Sequence, residues 1–153
     1  SECPNHQTFR TTSFKTRGNV AQCFGLGYEF NHSKISSGEL EQIQTQIAKH
    51  REIEKWFQES DYYRLIDPAK RDNAAWQLVS KNKKKSVAVF VTQLTVAKKI
   101  GKHLRLKGLD ENKRYHVEPL GLDLSGAFLM NAGIPIKDTP ADFESIFFEL
   151  NEI

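Results

Sequence analysis

The feature that most constrains this chain is a change of hydrophobic period close to residue 57. Between Ser36 and Trp56, and one position beyond, Leu40, Ile43, Ile47, His50, Ile53 and Phe57 recur at spacings of three or four. That spacing puts them on one face of a long amphipathic helix. Ser36 with Glu39 three residues later has the form of a capping box, in which each residue satisfies an amide of the other. Beyond the helix the spacing falls to two. The chain therefore reads as a helix-bearing N-terminal piece joined to an all-β C-terminal domain.

The β part can be followed strand by strand. Ala74 to Ser80 reads as a strand with Trp76 and Leu78 on one face, and Asn82-Lys83-Lys84-Lys85 as a basic turn. Ser86 to Leu94 is the strongest strand. Val87, Val89 and Val91 take one side, while Ala88, Phe90 and Thr92 form a second, mostly apolar side, so both faces are expected to be covered. Leu104 and Leu106 mark a further strand ending at the turn Gly108-Leu109-Asp110. Tyr115 and Val117 mark another, and Phe143 to Leu150 the last, with Ile146, Phe148 and Leu150 alternating. Strands at intervals of about ten residues with turn signals between them point to an antiparallel sandwich. Trp76 and Phe90 are expected in its core. Asp61-Tyr62-Tyr63-Arg64-Leu65, closed by Pro68, reads as the crossing from the helix into this domain.

The first 35 residues read differently. Cys3-Pro4-Asn5-His6 is a turn, Thr8 to Asn19 is polar, and Phe24, Leu26, Tyr28 and Phe30 alternate as a short strand would around Gly25 and Gly27. One strand with loops cannot bury itself, so this segment needs a partner surface. With 153 residues there is enough chain for a full core. No apolar run approaches the roughly 20 residues that span a bilayer. A formal net charge of +3 is too small to argue for nucleic acid. The two cysteines, Cys3 and Cys23, read as free thiols of an intracellular protein, with a disulfide between them as the alternative.

Chemistry is hard to place by pattern. His6, His32, His50, His103 and His116 are nowhere paired with each other or with cysteine at the spacing of a closed metal site; Cys3 and His6 make only two ligands. His50 reads as a packing histidine on the helix face. Glu39 and Glu41 suit the first helical turn, and Glu52 and Glu54 read as solvated. The lysine turn could hold phosphate or nucleic acid, but no aromatics interleave with it, and a hairpin that discourages edge pairing fits better. Trp76, Tyr62 and Tyr63 could stack on a sugar, although packing is the plainer role. No catalytic, cofactor-binding or metal-ligating residue is assigned.

Several segments, in order, resemble the melibiase-type α-galactosidases of glycoside hydrolase family 36. Pro4-Asn5-His6-Gln7-Thr8 and Arg10-Thr11-Thr12-Ser13-Phe14 are similar to a stretch late in that family's catalytic barrel. Thr16-Arg17-Gly18-Asn19-Val20-Ala21 and Phe24-Gly25-Leu26-Gly27-Tyr28-Glu29 resemble its last barrel strand and the approach to it, and the long helix resembles its final barrel helix. Asp61 to Leu65 with Pro68 looks like the linker, and Ala74-Ala75-Trp76, Leu104 to Leu109 and Leu129 to Gly133 look like sandwich motifs. Departures are mild: Ser60 stands where glycine is common, and Phe30 where leucine is. The resemblance implies an α+β chain, with residues 1–60 the end of a (β/α)8 barrel and 61–153 an antiparallel β-sandwich.

It further implies a retaining hydrolase of terminal α-linked galactose, cytoplasmic, without cofactor, metal, nucleic-acid or membrane partner. The family's nucleophile lies in a Lys-Trp-Asp motif, and its acid/base in Ser-Asp-(Asp/Asn)-Thr-Asp. Here Lys55-Trp56 is followed by Phe57, and Ser60-Asp61 by Tyr62, so neither role carries over. Both motifs are expected upstream of Ser1, leaving a structural segment that is inactive alone. A non-catalytic carbohydrate-binding sandwich module is the alternative. With the barrel absent, the helix stripe and Phe24, Leu26 and Tyr28 lose part of their cover; association of two copies through the helix is expected, with folding back on the sandwich as the alternative.

Overall fold

The computed structural model describes residues 4–5, 7–29, 35–95, 102–136 and 141–153. Cys3, His6, Phe30 and His32 lie outside them. Two helices come first, α1 (Phe14–Ala21) and α2 (Ser37–Phe57). The capping box at the start of α2 forms as expected. Ser36 Oγ accepts from the Glu39 amide, and the Ser36 amide donates to the Glu39 carboxylate at 3.0 Å. The Ser36 amide and the Ser36 hydroxyl both donate to the Glu39 carboxylate and hold its pKa below the ordinary glutamate value.

Eight strands and a third helix follow: β1 (Asp61–Ile66), β2 (Asn73–Val79), β3 (Lys85–Thr92), β4 (Lys102–Leu104), β5 (Arg114–Glu118), β6 (Leu122–Ser125), α3 (Gly126–Asn131), β7 (Ile134–Ile136) and β8 (Ser145–Glu152). Six form one sheet in the order β1-β2-β3-β8-β5-β6, every neighbour antiparallel; β4 and β7 pair as a separate ribbon. The architecture is thus mostly antiparallel sheet with few helices.

Alternation along β3 gives the large sheet two apolar faces. Ala88 and Phe90 point to one side with Ala75, Tyr115, Val117 and Phe148. There they meet Leu104, Leu106, Leu109, Leu129 and Ile134 from the ribbon, its flanks and α3. Burying each of the leucine, isoleucine, valine and phenylalanine side chains stabilises the fold by about 1.5–3 kcal/mol. Gln77 is fully buried on this same face without being orphaned. Its Nε2 donates to Ser86 Oγ at 2.9 Å, and its Oε1 accepts from the Lys107 amide at 2.8 Å, which ties the segment after β4 to the sheet. Gly133 ends α3 at φ +87°, and a Cβ there would sit 2.7 Å from the Leu104 carbonyl oxygen, so no larger residue fits. On the other face Leu78, Val87 and Val89 are buried against Cys23 and Ile53, with Trp56, Phe57, Trp76 and Phe147 half-buried around them. The two helices are the second cover of the sheet.

Five sequence expectations need correction. Residues 24–29 form no strand. Strand structure requires a neighbour to take its backbone hydrogen bonds, and no described strand lies alongside. Residues 14–21, expected on the approach to that strand, are helical because Ser13 caps the Thr16 amide at 3.2 Å. Asp61 to Ile66 is an edge strand paired with β2 from Asp61↔Val79 onward, not a crossing. Its half-exposed alternation blurs the signal. Trp76 lies under the helices rather than in the sandwich core, whereas Phe90 is in that core as expected, 1% exposed. Finally, the α2 stripe is not left bare: Ile43 and Ile53 are buried, while Leu40 is 52% exposed. The outer face of the sheet covers Ile53, Trp56 and Phe57.

Candidate functional site

A broad groove lies where α1, α2 and β8 meet. Its geometry starts from Gly18. A Cβ at that position would fall 2.3 Å from Gln46 Cδ, so the Gln46 side chain can lie across α1 as it does only because residue 18 is glycine. Gln46 then becomes a hub. Its Nε2 donates to the Phe14 carbonyl at 3.3 Å, its Oε1 accepts from Tyr28 Oη at 2.8 Å, and its backbone carbonyl accepts from Gln22 Nε2 at 2.8 Å. Phe14 stacks on Tyr28 with ring centroids 6.2 Å apart, and the Arg17 guanidinium lies 5.0 Å over the Phe14 ring.

Two links join this helical pair to the last strand. Thr16 Oγ1 and Ser145 Oγ are 2.9 Å apart in a buried contact, and Asn19 Nδ2 donates to the same Ser145 Oγ at 2.9 Å. Lys49 on α2 forms an ion pair with Glu149 on β8. Partial burial pulls Lys49 below the ordinary lysine value, opposed by Glu52 and Glu118. Beside these links a groove of about 1050 Å³ opens, lined by Gln22, Gln42, Gln46, Lys49, Phe147 and Glu149 among others. Gln22 is 3% exposed, and its buried Oε1 has no hydrogen-bond partner among the described residues.

The residues weighed from sequence fall elsewhere. His50 packs on Phe57, centroids 6.1 Å apart, which fits a packing role. His116, on the exposed side of β5, lies between Asp123 Oδ1 at 2.6 Å and Glu118 Oε1 at 3.2 Å. Asp123 first and Glu118 second raise its pKa above the usual histidine value. The carboxylates approach opposite ring nitrogens, so they do not converge on one metal position, and no metal-ligating cluster occurs among the described residues. In the lysine turn, Lys81 pairs with Asp61, and Lys84 lies 3.8 Å from Glu152, so its charge is partly neutralised rather than forming a free stripe. Tyr62 and Trp76 flank Phe24, but the rings are tilted by 49° and 42° and present no flat platform. Tyr63 packs on the core.

Many carboxylates are likewise engaged: Asp61 with Lys81, Glu149 with Lys49, and Glu152 with Lys113 at 3.1 Å. Sequence reasoning missed the groove. Its lining comes from three elements spread over some 130 residues of chain, from Lys15 to Glu149, and only Gly18, a glycine inside what proves to be a helix, hinted at a close contact.

Comparison with known proteins agrees with the resemblance read above. The family model described as the glycosyl hydrolase family 36 C-terminal domain matches residues 73–150, and the model described as melibiase matches residues 1–60. The chain is 35% identical over its whole length to α-galactosidase AgaA of Geobacillus stearothermophilus, covering 21% of that protein. It is 37% identical over its whole length to the bifunctional α-galactosidase/sucrose kinase AgaSK of Mediterraneibacter gnavus, covering 16%. The crystal structure of a variant of the Geobacillus enzyme in complex with stachyose superposes with a TM-score of 0.93 at 35% identity, over 98% of this chain and 21% of that one. The chain spans about a fifth of the length of the relatives it matches. A family-specific model covering half of the residues, on a sheet and helical cover shared with solved relatives, places the chain: it belongs to glycosyl hydrolase family 36.

Proposed function

We propose that this chain is the C-terminal part of an α-galactosidase that hydrolyses terminal α-linked galactose with retention, and that its own contribution is structural. Residues 1–60 complete the wall of a (β/α)8 barrel, and residues 61–153 form the sandwich that braces it. The observation that carries this reading is the buried Thr16–Ser145–Asn19 contact. It fastens the stretch that matches the melibiase model to the stretch that matches the C-terminal domain model. A galactoside substrate is supported by the stachyose complex of the Geobacillus relative.

Retaining hydrolysis needs two carboxyl groups about 5–5.5 Å apart, one to attack and one to move the proton. The Lys-Trp and Ser-Asp pairs here lack the aspartates that would serve, and Asp61 is turned to Lys81 on the edge of the sheet. The carboxyls accordingly belong to the remaining length of the parent.

Two measurements test the proposal. The purified chain should not release nitrophenol from a nitrophenyl α-galactoside; turnover in a preparation free of host enzyme would overturn the structural role. Replacing the matching stretch of the Geobacillus enzyme with this chain should give an active chimera. A folded, soluble chimera without turnover would overturn the barrel-completing role.

A further inference from the structure

We infer that the groove between α1, α2 and β8 is a binding site for a neutral sugar unit. Its volume of about 1050 Å³ is at the upper end of small-molecule pockets, which run from about 300 to 1,000 Å³. Its lining is chemically specific. Asn19, Gln22, Gln42 and Gln46 bring four side-chain amides; Asn19, Gln22 and Gln46 already hold Ser145, Gln46 and Phe14 with one N–H each, which leaves every amide a second N–H and a free carbonyl lone pair for hydroxyl groups. Gln22 matters most. It is 3% exposed, its Nε2 is committed to the Gln46 carbonyl, and its Oε1 has no hydrogen-bond partner among the described residues. A buried acceptor without a donor is rare in a folded protein, and a ligand hydroxyl would supply one. Phe147, half-buried in the wall, offers an apolar surface to the C–H face of a ring.

The mixed charges of the lining favour no strongly charged ligand. Lys15 and Lys49 face the groove together with Glu41, Glu52 and Glu149, and Lys49 is already paired with Glu149. A phosphate or sulfate would meet three carboxylates with one uncommitted lysine. A polyamine would meet two lysines. An uncharged polyhydroxylated ligand meets neither penalty and can use the carboxylate oxygens as acceptors.

The test is an amide NMR titration of the whole chain with galactose and with raffinose, alongside sulfate and spermidine. Saturable shifts are expected for either sugar, in the millimolar range, confined to α1, α2 and β8. Thr45, exposed on the groove side of α2, provides the blocking variant. Thr45→Arg should weaken binding by about tenfold or more at an unchanged melting temperature. Gln22→Leu, which keeps the shape and removes the orphan acceptor, should weaken it by a similar factor. If Gln22→Leu does not fold, Thr45→Arg decides. The inference fails if neither sugar gives saturable shifts, if the shifts fall on other elements, if sulfate or spermidine binds in their place, or if Thr45→Arg binds as the parent does. Sugar binding here together with an inactive chimera would leave this site standing and remove the barrel-completing role.

Discussion

Phe90 is the most direct probe of how the sheet is held. Its side chain is 1% exposed, lies between Ala75 on β2 and Ile146 on β8, and faces the ribbon and α3. Phe90→Ala removes about 100 Å³ of packed volume. At about 24 cal/mol per Å³ the residual cavity adds about 2 kcal/mol to the lost transfer energy, and the total falls in the range of about 3–5 kcal/mol seen for such truncations. Domains are stable by about 5–15 kcal/mol in all, so the variant should lose a large fraction of its margin. For a chain of this size each kcal/mol moves the melting temperature by about 2–4 °C, which predicts a fall of about 6–20 °C. Thermal melts followed by circular dichroism would measure it, and urea titration should show a lower midpoint at an unchanged slope. Tyr62→Ala, on the edge strand at 46% exposure, is the control and should shift stability by less than about 1 kcal/mol. A melting temperature for Phe90→Ala within about 2 °C of the parent, or equal losses in both variants, would refute the packing of this face of the sheet against the ribbon and α3.

Ser145→Val should leave Thr16 and Asn19 without their buried partner and destabilise the chain by about 1–3 kcal/mol; faster hydrogen exchange in α1 is the local readout, and unchanged protection there would contradict the seam. Burial pushes the Cys23 thiol up to about 11, with the Trp76 side chain pulling weakly the other way. The folded thiol should therefore resist alkylation at neutral pH, as mapped on the Cys23 peptide. Because its folded pKa is raised above 9.0, the stability linked to Cys23 is complete below pH 9 and is lost by about 2–3 kcal/mol as pH rises toward 11; a Cys23→Ala variant should lack that decline. His116 should titrate above its usual value of 6.5 by NMR, and Asp123→Asn should bring it down. The stability it contributes is present below pH 6.5 and disappears as pH rises through the folded value, so an Asp123→Asn chain that titrates like the parent would remove the assigned cause.

How much of this was legible in the sequence depended on whether the signal was local. The capping box of α2 and the alternation of β2, β3 and β8 were legible, because each needs only neighbours a few residues apart. The doubled apolar face of β3 even announced that both sides of the sheet are covered. Which side held Trp76 was not legible, since two apolar faces give parity without direction. α1 was missed because Thr16, Gly18 and Asn19 are poor helix formers, and its stability comes from Ser145 and Gln46, far along the chain. β7 is three residues long and, among the described residues, is held by β4 alone, so periodicity had nothing to count; the strand marked by Leu104 and Leu106 was found but placed too late, since β4 ends at Leu104. The groove was hidden for the same reason: glutamines on a helix read as solvated until a second helix and a strand are brought beside them.

The position of β8 has a consequence for how the protein is made. It follows β1 through β7 in the chain, yet sits between β3 and β5, in the middle of the large sheet. As the ribosome delivers the polypeptide, β1-β2-β3 and β5-β6 can form as two separate hairpin groups, but neither can join the other until residues 145–152 have emerged. Until then β3 and β5 both present open edges of unpaired amides and carbonyls, the state in which strands pair with the wrong neighbour. The long sequence separation of the β3–β8 pairing should also make closure of the sheet slow. A ribosome stalled before Ser145 would therefore hold a nascent chain with two exposed strand edges, and a premature stop at that point should yield aggregate rather than a smaller folded domain.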